Sequence, residues 1–210
     1  MSVLVPLLVG LPLLGAAITL VFGRNARLQV FVTVVTLAAV SVIAAVLLVA
    51  VDAGDTPMAV SVGGWPVPFG IVLYVDRLAA LLVLISSIVL LAVLLFSIGQ
   101  GVADGTDETP ISIFNPSYLI LAAGIFNAFI AGDLFNLYVW FEVTLIASFG
   151  LIVQGGRPAQ LDGAVKYGFL NFLATTLFLL SLGLLYGLLG TLNMADIMRV
   201  APLANPAAMA

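Results

Sequence analysis

The sequence has 210 residues, 63% of them hydrophobic and only 8% charged, where an ordinary soluble domain is about 25% charged; at a mean hydropathy of +1.30 its solvent must be lipid. A formal net charge of −4, with six scattered basic residues, excludes a nucleic-acid surface. There is no Cys and no His, which removes disulfides, iron–sulfur and haem ligation, most zinc sites and the usual general base; no cofactor and no metal centre is expected.

A bilayer crossing needs about 20 apolar residues. The first uncharged run, Met1 to Gly23, has no positive residue before it and no Ala-x-Ala-like cleavage site, so it reads as a retained helix rather than a signal peptide. The second is Leu28 to Val51 and the third Leu78 to Ala103. Between them, Gly63-Gly64-Trp65-Pro66 reads as a turn with an interfacial aromatic. The fourth span is expected to open with Asn115 as N-cap and Pro116 at the first helical position. Gly132-Asp133 then reads as a helix stop followed at once by a new N-cap. The fifth span follows, and a sixth opens at Lys166, which either snorkels to the interface or stands at the mouth of a proton route. After it come Thr191-Leu192-Asn193 and a short amphipathic piece, Met194 to Val200.

The expected fold is all-α, a single polytopic transmembrane bundle over residues 1–210 with spans at 3–22, 28–51, 78–99, 116–131, 134–153 and 166–190. Arg24, Arg27, Arg157 and Lys166 fall on one side of such a bundle, Arg77 and Arg199 on the other. The side richer in Lys and Arg is expected to be cytoplasmic. The loop after the third span is acidic (Asp104, Asp107, Glu108), but acidic residues count little in that rule.

Glu142 is the only deeply placed charge. It lies about nine residues into the fifth span, roughly 12–16 Å from either helix end at 1.5 Å per residue, too deep for its side chain to reach headgroups. An ionised acid there costs at least about 2.5–3.5 kcal/mol on insertion scales, and such groups usually serve ion or proton movement. The bland alternative is a protonated acid tying two helices together. At about the same depth lie Ser86 and Ser87 on the third span, Asn127 on the fourth, and Thr175 and Thr176 on the sixth. If they face inward they form, with Lys166, a possible proton path; otherwise they are hydrogen-bonding glue between helices. Asp133 is either a plain N-cap or an ion-collecting carboxylate. Gly183 and Gly187 form a GxxxG pattern that suggests close helix packing. No Walker or dinucleotide fingerprint is present.

The stretch Gly132-Asp133-Leu134-Phe135-Asn136-Leu137-Tyr138-Val139-Trp140-Phe141-Glu142-Val143 resembles the fifth helix of the D-type membrane component of Mrp-type monovalent cation/proton antiporters, which is related to the antiporter-like membrane subunits of respiratory complex I. Lys166-Tyr167, Leu185-Tyr186-Gly187 and the run Gly190 to Asp196 support the resemblance. It implies the first part of a subunit of about fourteen helices built from two inverted repeats. It also implies that Glu142 belongs to a proton-translocating ion pair whose lysine partner lies on a seventh helix beyond this chain.

The implied function is that of a membrane subunit, N-terminal portion, in a multi-subunit antiporter. Its partners would be the other antiporter subunits, protons, a monovalent cation taken as Na+, and the lipid of the cell (inner) membrane. Two other readings are a proton-pumping subunit of an NADH:quinone oxidoreductase-type complex, without a redox centre of its own, and an inactive truncated remnant.

Overall fold

The computed structural model describes residues 2–100, 113–154 and 156–203; the acidic loop at Asp104, Asp107 and Glu108 lies outside the described residues. Among the described residues seven α-helices carry the fold: α1 (Leu4–Val21), α2 (Ala26–Gly54), α3 (Arg77–Gly99), α4 (Phe114–Ile130), α5 (Leu134–Val153), α6 (Pro158–Leu189) and the short α7 (Met194–Val200). Between α2 and α3 an antiparallel hairpin pairs β1 (Met58–Ser61) with β2 (Val72–Val75), Met58 opposite Val75. The all-α polytopic architecture read from composition is borne out, with this small hairpin added. Among the described residues, five helices are long and apolar enough to cross a membrane; α4, at 17 residues, is shorter.

Helices α1 to α4 pack together, with α1 against α2 and α4, and α3 against α2 and α4. Their core holds Leu8, Leu37, Leu47, Val83, Leu119 and Phe126, each at most 1% exposed. Ten of the 17 residues of α4 are buried, so the shortest of these helices is the most enclosed. Helix α5 packs on α4, and α6 packs on α5. Burial falls away along this row: only Asn136 and Ala147 are buried on α5, and Ala164, Thr175 and Leu182 on α6.

Two helix starts differ from the sequence expectation. Helix α4 begins at Phe114, capped by Ile113 without a side-chain bond. Asn115 is therefore inside the helix, where its Nδ2 donates to Gln29 Oε1 at 3.5 Å. Pro116 is tolerated because the first turn's N–H groups have no intrahelical acceptor. Helix α6 begins at Pro158, where Arg157 N–H donates to Gln160 Oε1 at 3.1 Å. Lys166 does not open the helix; it lies inside it, paired with Asp162 one turn back at 2.6 Å. At 32 residues, α6 is about 48 Å long and exceeds the ~30 Å apolar layer, so this ion pair fits a helix end extending beyond the hydrocarbon.

Candidate functional site

The site is organised by the break between α4 and α5. After Ile130 the chain turns extended at Ala131, and Gly132 approaches β2 so closely that an added Cβ would stand 2.7 Å from the Val72 carbonyl oxygen. Gly132 N–H donates to that oxygen at 2.8 Å. Asp133 then caps α5, its Oδ1 accepting from Asn136 N–H at 2.7 Å, as its place in the sequence suggested. On the other side the 191–193 segment closes over the break. Leu134 N–H donates to Leu192 O at 2.9 Å, and Met194 N–H donates to Gly132 O at 3.0 Å. Two separate parts of the chain, β2 and the segment after α6, thus pin the start of α5 at the hairpin end of the bundle.

Successive residues on α5 rotate by about 100°, which sorts its side chains into faces. Asn136, Trp140, Thr144 and Ala147 make the stripe toward α4. Trp140 Nε1 donates to Asn136 Oδ1 at 3.0 Å, and Asn127 Nδ2 of α4 reaches the same oxygen at 3.4 Å. Thr144 Oγ1 donates to Trp140 O at 2.8 Å and lies where a Cβ on Gly124 would be. The other stripe meets α6: Tyr138 and Phe141 make edge-on ring contacts with Phe178 at 5.9 and 6.3 Å, and Ser148 shares a 2.8 Å hydrogen bond with Tyr167.

Glu142 is half-buried and belongs to this second side. The Tyr138 side chain, one turn earlier, lies close enough to interact with its carboxyl. Two residues from Trp140 and two from Thr144, Glu142 points about 200° away from the α4 stripe. It lies between the α6 contacts and the exposed residues Phe135, Val139 and Ile146. The glutamate therefore sits on the flank of the bundle, at an open edge, rather than among α1 to α4.

The other polar residues at this depth fall into separate places. Ser87 is fully buried and faces α2, where Ser41 Oγ donates to its Oγ at 2.9 Å; Ser87 itself donates to Leu84 O. Ser86 is half-buried beside it on α3. Asn127 belongs to the α4–α5 stripe, across the helix from Glu142. Thr175 is buried and Thr176 exposed, and both hydroxyls donate back to Phe172 O. Lys166 is exposed on the far part of α6. Of these, only Thr175 lies on the α6 stripe that includes Ala164, Phe178 and Leu182. Sequence reasoning missed Asn171, one turn before Thr175 on that stripe; a mid-span asparagine was its available signal. It also missed Ser41 and Asn136, because the partners that make them informative are remote in sequence.

Burial raises the Asp133 carboxyl above the ordinary carboxylate range, and backbone N–H groups of Asn136, Val72 and Phe135 partly offset this. Asp133 as a whole is 8% exposed.

The site is thus a flank helix with a mid-span carboxylate, anchored by a capped break and packed on a row of apolar helices. Residues 131–209, from the break through α7, match the NADH:quinone oxidoreductase/Mrp antiporter transmembrane family. The chain is 39% identical to the D-type component of the Na+/H+ antiporter of Bacillus subtilis over 93% of its own length and 38% of the relative's. It is 42% identical to the D-type component of the probable K+/H+ antiporter of Rhizobium meliloti over 64% of its length and 24% of that relative.

Among solved structures, a chain of the Mrp complex from Dietzia sp. DQ12-45-1b superposes with a TM-score of 0.85 at 29% identity, covering 93% of this chain and 36% of that one. A chain of the archaeal membrane-bound sulfane sulfur reductase, a respiratory membrane complex, gives 0.89 at 29% identity, covering 99% and 42%. The chain is similar to the D-type membrane components of Mrp antiporters, and it spans less than half the length of the relatives it matches.

Proposed function

We propose that this chain contributes part of the membrane subunit of a multi-subunit monovalent cation/proton antiporter, in which Glu142 takes up and releases protons. The observation that carries the reading is the position of Glu142. Among the described residues it is the one charge near the middle of a spanning helix, with Tyr138 one turn away, and it lies at an open edge of α5. A carboxylate so costly to insert is retained where it exchanges protons or pairs with a cation. The exposed stripe beside it offers the face on which a cationic partner from outside these residues would dock.

Na+ is the cation we assign, with the other antiporter subunits as partners and the cell membrane as the location. The Bacillus subtilis likeness over most of the chain supports this. The sulfane sulfur reductase superposition supports a second reading, in which the same bundle moves protons for a redox complex.

Inside-out vesicles from cells with and without the protein separate the two. Adding Na+ to vesicles holding a pH gradient should collapse that gradient only where the protein and its partners are present. A gradient indifferent to Na+ and K+, combined with loss of quinone-linked proton pumping when the protein is removed, would favour the redox reading.

A further inference from the structure

We propose that Asp133 and Asn136 hold a buried water at the hairpin end of α5, and that this water and Asp133 form a second proton-exchange station of the chain. The inference starts from two polar atoms without partners. Asp133 is 8% exposed and Asn136 4%. Asp133 Oδ1 is used by the cap, but Oδ2 has no hydrogen-bond partner; Asn136 Nδ2 has none either. The Val72 and Phe135 N–H groups face the carboxyl without reaching hydrogen-bond geometry at Oδ2.

The amide orientation of Asn136 is not arbitrary. An indole N–H only donates, so Trp140 Nε1 at 3.0 Å fixes the oxygen of Asn136 toward itself. Asn127 Nδ2 at 3.4 Å agrees with that orientation, and the NH2 group must then be the free one.

One free acceptor and one free donor within the first turn of α5 select the ligand. Buried polar groups left without protein partners are satisfied by ordered water. Water accepts from Asn136 Nδ2 and donates to Asp133 Oδ2. A dehydrated cation satisfies only acceptors and is opposed by the amide hydrogens. The surroundings form a built site: the 191–193 segment is bonded across the break on one side and β2 on the other, with Thr191 2% and Asn193 6% exposed. A proton arriving from solvent passes to the water, whose own proton moves to Asp133 Oδ2; release runs in reverse, and no other reactant is needed. The water stands on this geometry alone, whereas the proton role rests on the transport reading above.

The test uses the protein with its native partner subunits in membranes. Infrared spectra between two pH values, in ordinary and ¹⁸O-labelled water, should show an isotope-sensitive internal-water O–H stretch. Asp133→Asn keeps the cap and should displace that band and remove a carboxyl band; Asn136→Leu should abolish the water band; Glu142→Gln should leave it in place. Cation-dependent proton flux in Asp133→Asn should fall by about 100-fold, the lower end for a positioned acid–base group, and Asp133→Glu should recover part of it. An isotope-sensitive band unmoved by either Asp133→Asn or Asn136→Leu overturns the water. A displaced band with unchanged flux in Asp133→Asn overturns the proton role. Failure of the transport reading appears separately, as full flux in Glu142→Gln.

Discussion

Asp133 performs two tasks that pull its protonation in opposite directions. As an N-cap its oxygen accepts from Asn136 N–H, which suits a carboxylate, while burial favours the neutral acid and wins. A carboxyl whose folded pKa is raised contributes stability that is complete below its unfolded value of about 3.9 and is lost as pH rises through the folded value. At neutral pH the desolvated charge is therefore a cost. Asp133→Asn removes that cost and keeps a good cap. Its thermal midpoint in detergent should be no lower than that of the unsubstituted protein at pH 7, with the difference shrinking on acidification. Asp133→Ala should be less stable by about 1 kcal/mol, the value of a lost cap. A midpoint for the asparagine variant that falls below the parent's as pH rises would contradict this. Glu142 and the Asp133 cap were legible because a charge is conspicuous in an apolar sequence. The pairing of Asn136 with Trp140 and Asn127, or of Ser41 with Ser87, was not, since each depends on which helix faces which.

Contact between α4 and α5 is set by one missing side chain. A Cβ on Gly124 would overlap Thr144 Oγ1 and stand 3.2 Å from both Thr144 N and Trp140 O. Gly124→Ala should thus cost about 1–3 kcal/mol, the usual penalty of overpacking, read as a lower detergent melting point. Thr144→Ala in the same chain should recover part of the loss. Gly187→Ala is the control: nothing lies within 4 Å of a Cβ there or at Gly183, so it should be silent. Equal effects at Gly124 and Gly187 would contradict the geometry. Close packing at Gly183 and Gly187 was expected from their spacing, yet that pattern records only what a helix permits. The start of α6 was misread for a similar reason. A lysine looks like a helix boundary in a membrane sequence, but with Asp162 one turn away it is simply a solvated pair on a continuing helix. The hairpin escaped the sequence reading because β1 and β2 have four residues each, too few for their alternation to stand out.

At the scale of the whole molecule, α1 to α4 make the enclosed core, and α5 and α6 extend from α4 as a flank carrying Glu142. The number and order of apolar helices were legible because lipid demands long uncharged runs; which side of α5 is open was not, because every face of these helices is apolar. Orientation rests on the Lys and Arg count. The end with Arg24 and Arg27 should be cytoplasmic, and the hairpin should face outside. In intact cells, Thr56→Cys should react with an impermeant thiol reagent and Asn25→Cys should not; the opposite pattern would invert the bundle. The central claim is that Glu142 exchanges protons, and glutamine keeps its shape without that capacity. In inside-out vesicles containing the protein with its native partners, Glu142→Gln should insert and assemble to the same level while Na+-dependent proton movement is lost. Near-normal Na+-dependent proton movement by an equally abundant glutamine variant would contradict the account.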